Sequence, residues 1–149
     1  MGKTIGVILA ATATIAAAPA TAMAESWARF STTDRTAYLV DLDTLSPTDG
    51  LAKTRIARVP LGEDASERGH EVEELTVRCT DKQFQSGATI SYGPDGAEID
   101  RYTEETPWEP ARDGTLYANV VSFVCEDMRP ADATSYPTLQ AFIEGGRAR

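Results

Sequence analysis

Residues Glu71–Thr80 read EVEELTVRCT, and this stretch decides the fold. Leu75, Val77 and Cys79 recur at every second position, with Thr76 and Arg78 between them. That is the period of a strand buried on one face only. Moving toward the C-terminus, Ala88, Ile90 and Tyr92 alternate with Thr89 and Ser91 in a further strand. Gly93-Pro94-Asp95-Gly96 follows and is the strongest hairpin signal in the chain. Pro suits the first corner of a type I turn, Asp the second, and Gly the left-handed position after them. Ala97–Thr103 (AEIDRYT) is the returning arm.

Moving toward the N-terminus, residues 60–70 (PLGEDASERGH) are polar and hold Gly62 and Gly69, so they read as a long mobile loop. Leu51–Val59 (LAKTRIARV) is a strand, basic on one face, and Thr36–Leu42 (TAYLVDL) is another. The turn cluster Ser46-Pro47-Thr48-Asp49-Gly50 joins them into a meander. Ser26–Ser31 (SWARFS) is a short strand candidate, separated from the next by a polar turn at Thr32-Thr33-Asp34.

Beyond the hairpin, Thr106-Pro107-Trp108-Glu109-Pro110 leaves the sheet. Two prolines around a tryptophan read as a rigid segment folding over an open end of the core. The stretch LYANVVSFVC (116–125) fits two descriptions. Leu116, Val120, Phe123 and Val124 make a helical stripe, while the valines favour a strand. Thr115 is a fitting N-cap and tilts the reading toward helix. A second helix is expected from Thr134 or Ser135 to about Glu144, stopped by Gly145-Gly146, with Leu139, Phe142 and Ile143 on its apolar side.

The chain has 149 residues, with 14 Lys+Arg against 23 Asp+Glu and a formal net charge of −9. That length fits one domain and leaves little room for a large dinucleotide-binding or barrel enzyme. The acid excess argues against a nucleic-acid footprint, which needs a basic patch. Residues 1–24 have the layout of a secretory signal peptide: Lys3, an apolar run from Ile5 to Ala18, Pro19, and the small-x-small triplet Ala22-Met23-Ala24. The apolar run is about 14 residues, short of the roughly 20 that span a bilayer. Cleavage after Ala24 leaves a mature chain of 25–149, with its core in 26–125 and a C-terminal helical tail in 126–149. Such a chain is periplasmic, secreted or at the cell surface. No later run of the mature chain is long enough to span a membrane.

Export changes the meaning of the two cysteines. Outside the cytoplasm a lone pair usually joins, so Cys79 and Cys125 are expected to form a disulfide. A metal site would need close pairs of Cys or His, and a redox centre would need Cys-x-x-Cys. Neither pattern occurs, so no metal ion and no cofactor is expected.

The search for catalytic parts ends without a set. His70 is the only histidine and lies beside Glu71, Glu73 and Glu74, which would favour its protonated form. No Gly-x-Ser-x-Gly elbow occurs. The carboxylate pairs Asp41/Asp43, Glu73/Glu74 and Glu104/Glu105, with Asp100, read as a solvated acidic surface. Asp41-x-Asp43 starts like a calcium loop, but Leu45 holds the third ligand position and Pro47 lies beyond it. The chain is therefore read as a protein without catalytic residues. Trp27, Tyr38, Tyr92 and Trp108, with the basic pair Lys53 and Arg55, are the candidate binding surface.

These features, in this order, resemble the surface-adhesin protein E-like family of small exported bacterial proteins. The resemblance rests on Trp27 just after the cleavage point, on Tyr38-Leu39-Val40-Asp41 with Leu45 four residues on, and on Cys79 ending a strand. It extends through Tyr92 before the Gly-Pro-Asp-Gly hairpin and Trp108 in a Pro-Trp segment, to a capped stretch ending in Cys125. It covers about residues 26–125. It implies an antiparallel sheet with a helix packed on one side, a disulfide tying strand to helix, and an envelope or surface location. The expected fold is thus α+β: an antiparallel sheet of about six strands with one or two helices packed on one side and one disulfide. The expected role is a binding domain for a protein partner at the cell envelope, with pairing of two copies through a sheet edge as one arrangement. The alternative role is inhibition of a secreted enzyme such as a lysozyme, to which an acidic domain would be drawn by charge.

Overall fold

The computed structural model describes Gly2, residues 24–132 and residues 134–147. The expected leader lies outside the described residues, apart from Gly2 and Ala24. Six longer strands follow the chain: β1 (Trp27–Thr32), β2 (Thr36–Asp41), β3 (Leu51–Pro60), β4 (His70–Arg78), β5 (Gln83–Tyr92) and β6 (Glu98–Thr103). Two-residue strands β7 (Glu109–Pro110) and β8 (Ser135–Tyr136) flank helix α1 (Leu116–Cys125), and helix α2 (Leu139–Gly145) is the last element among the described residues. All eight strands form one antiparallel sheet in the order β6-β5-β4-β3-β2-β1-β8, with β7 pairing β5. The fold is α+β, as expected, with the two short strands added to the six.

Each turn has a chemical cause. In the 93–96 hairpin, Gly93 N–H donates to the Ala97 carbonyl at 2.8 Å, and Gly96 takes the left-handed φ of +80°. The Asp95 side chain accepts from Ala97 N–H at 3.0 Å. Thr115 caps α1 by accepting from Ala118 N–H at 3.2 Å, which decides helix over strand for 116–125. Thr138 caps α2 in the same way, through Ala141 N–H at 3.1 Å.

The two helices lie on opposite faces of the sheet. Val40 pairs with Ile56, while Leu39 pairs with Ala57. Successive residues point to opposite faces, so these pairs belong to two separate cores. Val40, Ile56, Leu75, Val77 and Phe84 pack beneath Val120, Val121, Phe123 and Val124 of α1. Leu39, Ala57, Val59, Val72 and Trp27 pack beneath Leu139 and Phe142 of α2. The expectation of helices on one side therefore holds for α1 and is corrected for α2. Each fully buried Val or Leu contributes about 1.5–3 kcal/mol, so both helices are held mainly by these apolar faces.

The tail also differs in detail from expectation. Helix α2 starts after Thr138, not at Thr134 or Ser135. Ser135 and Tyr136 pair instead with Ala28 and Trp27 of β1. Pro137 explains this, since the residue before a proline is pushed out of the helical region. Residues 60–70 are anchored: Ala65 is buried, and its carbonyl accepts from Arg147 Nη1 at 2.6 Å. Cys79, just past β4, and Cys125, the last residue of α1, are disulfide-bonded with Cα atoms 5.4 Å apart. Among the described residues, no helix is long and apolar enough to cross a membrane.

Candidate functional site: the uncovered half of the second face

Helix α2 has seven residues and covers only part of its face. Along β3, Lys53, Arg55, Ala57 and Val59 share that face by alternation. Ala57 and Val59 are buried beneath α2, whereas Lys53 is exposed and Arg55 half-buried. The same division runs across the sheet, with Val72 covered and Glu74 and Thr76 beyond the cover. The uncovered half is a trough of about 610 Å³. Its lining includes Lys53, Arg55, Thr76, Gln85, Arg101 and Thr103.

The wall between trough and core is an ionic clamp. Asp41 is 0% exposed, and Arg55 reaches it through Nε at 3.2 Å. Arg55 Nη1 also pairs with Glu25 at 3.1 Å, and its guanidinium carbon lies 5.2 Å from the Trp27 ring centre. Trp27 Nε1 donates to Glu25 at 3.0 Å, closing the group. On the opposite rim, Arg101 is held by Glu98 at 2.9 Å and faces Glu74 at 3.9 Å. Lys53 has no ion-pair partner among the described residues. The trough therefore offers one free ammonium and two held guanidiniums over a floor that includes hydroxyl and amide groups. The carboxylates of Glu74 and Glu105 also line it, so the trough presents polar groups of both signs.

A second buried carboxylate supports the opposite face. Glu73 is 4% exposed and accepts from Arg58, from Ser86 Oγ at 2.7 Å and from the Tyr117 hydroxyl at 3.2 Å. Burial and the Glu73 charge push the Tyr117 phenol above its ordinary range. This network locks the start of α1 onto β3, β4 and β5.

The six residues expected to bind do not form one surface. Trp27 is 1% exposed and belongs to the α2 core, so it is removed from the binding surface. Trp108 lies under the Arg78 guanidinium, 4.2 Å from ring centre to carbon, where β7 joins β5. Tyr38 and Tyr92 both line a separate hollow of about 390 Å³ at the far end of the sheet. Lys53 and Arg55 alone share the trough. Arg101, Gln85 and Thr103 were not singled out from the sequence. The polar positions facing away from Leu75 and Val77 were the available sign of this surface.

His70 also behaves differently from its sequence neighbourhood. Its ring stacks on Tyr92, with centroids 4.8 Å apart. Burial, and then the nearby Arg147 charge, hold it below the ordinary histidine range. Among the described residues no group of three or more His, Cys, Asp or Glu is placed to hold a metal ion. No family model, no curated protein and no solved structure matches this chain. The fold, the trough and the hollow define it only as an α+β domain whose sheet is partly open on both faces.

Proposed function

We propose that this protein is an exported envelope-associated binding domain, resembling the surface-adhesin protein E-like group, that acts through its surface and not through catalysis. Export rests on the leader-like residues 1–24 and accords with the Cys79–Cys125 bond. The observation that carries the binding role is the trough beside α2, where a free Lys53 stands over exposed sheet while the rest of that face is packed. The test is a photo-crosslinking residue placed at position 53 and, as a control, at the exposed position 34, in the native envelope. A discrete protein adduct from position 53 and none from position 34 is the expected result. Equal labelling from both positions sinks the proposal. Mass spectrometry of the native protein should find Glu25 as its first residue.

A second role, inhibition of a basic secreted enzyme, is favoured by one observation. The acidic residues Asp95, Glu98, Asp100, Glu104, Glu105 and Glu109 crowd one stretch in which Arg101 is the sole cation. A lysozyme assay separates the two roles. No slowing at micromolar excess discards inhibition of lysozyme and leaves the binding domain.

A further inference from the structure

We infer that the outer edge of β6 accepts an extended basic segment of a protein partner as a ninth strand. This rests on the reading that the domain binds a protein and names the chemistry of that partner. Strand β6 is the last in the sheet, so the backbone groups on its outer side have no strand to pair with. All six of its residues are exposed, Ile99 at 69% and Tyr102 at 60%. Sheet edges are usually blunted by charged side chains, lysine above all, by proline, by a bulge or by a covering element. Strand β6 carries charge at Glu98, Asp100 and Arg101 and a register irregularity opposite Ser91 and Tyr92, but it contains no lysine or proline, lies outside both helix-covered cores and pairs in regular register over residues 100–103.

Its charges choose the partner. The one cation in the strand, Arg101, is already held by Glu98. Asp100, Glu104, Glu105 and Glu109 have no ion-pair partner among the described residues. The strand itself holds Glu98, Asp100 and Arg101, a net charge of −1, and Glu104 just beyond it adds a second negative charge. A second copy of the chain would bring the same charges against it, which opposes pairing of two copies through this edge. A segment bearing Lys or Arg would be drawn to it. Register adds a finer demand. Arg101 and Thr103 lie across from Ile90 and Ala88, while Asp100 and Tyr102 lie across from Ser91 and Thr89. Cations on an added strand belong on the side of Asp100, where an apolar residue would also lie beside Tyr102.

The test uses a fluorescein-labelled seven-residue peptide, Thr-Lys-Thr-Val-Thr-Lys-Thr, which places Lys and Val on one face of an extended strand, its fully N-methylated form, and fluorescence anisotropy. The native protein should bind the unmethylated peptide saturably at low salt. The N-methylated peptide keeps the charge but loses strand pairing, and should bind at least about tenfold more weakly. An Asp100→Lys/Glu104→Lys variant, changed only at exposed positions, should show a similar loss. Equal binding of both peptides, undiminished binding by the variant, or no saturable binding up to millimolar peptide overturns the inference. A persisting adduct from position 53 in any of these cases would leave the binding role intact and discard the edge alone.

Discussion

The two faces of the sheet are made by the same strands, yet they end differently. The first is covered at its disulfide end by α1, ten residues long, capped by Thr115 and bonded through Cys125, and opens at the other end into the hollow lined by Tyr38, Arg58 and Glu71. The second has α2, seven residues long, with Leu139 and Phe142 as its buried residues. Where the first face carries Ile56, Leu75 and Val77, the open half of the second carries Lys53, Thr76 and Gln85. Polar residues at those positions could not be covered by an apolar helix without losing their water. The composition of each strand thus sets how far its covering helix extends.

Replacing both cysteines with serine should do the most damage, because it releases the face that α1 covers. The chain-entropy model gives about 4 kcal/mol for a loop of 46 residues. A fall in the denaturation midpoint of much less than that would mean α1 is held by packing alone. Glu73→Ala comes next, at about 3 kcal/mol, since it leaves Arg58 and two hydroxyls without their carboxylate beneath α1. Leu139→Ala on the other face should cost about 2 kcal/mol, measured by urea unfolding. If it costs more than Glu73→Ala, the ranking of the faces is wrong.

Acid should loosen the second face by a smaller margin. The folded state holds His70 below its unfolded pKa, so the unfolded chain binds more protons in that interval. Stability from this group is complete above the unfolded value of about 6.5 and falls away as pH drops toward the lower folded value. His70→Gln should flatten that slope in a pH series of thermal melts. Smallest of all, Lys53→Glu should shift stability by less than about 0.5 kcal/mol, because the side chain is exposed. A large loss would show that the trough is structural.

Much of this layout was legible in the residues. Gly93–Gly96 announced its hairpin because Pro, Asp and Gly each fit one corner. Thr115 announced a helix start, and the cysteine pair its bond. Other parts depend on distant partners. The first half of β5 was missed because the register shifts at Gly87 and Ala88, so Phe84 and Ser86 fall out of step with Ala88 and Ile90. Strand β8 exists only because β1 offers it an edge. The acidic neighbours of His70 are adjacent only in sequence, while its ring is buried against Tyr92 and feels the charge of Arg147. Trp27 looked available for binding because nothing local shows that Leu139 and Phe142 return to cover it. The trough was half visible, as the basic pair Lys53 and Arg55, and its far rim came from β6.

Cys79 and Cys125 bracket β5, β6, β7 and α1 within one covalent ring. A protease that cuts the exposed tip at Pro94–Gly96 would open the backbone without releasing a piece. The cut protein should keep its full mass on a non-reducing gel and separate into two fragments only after a thiol is added.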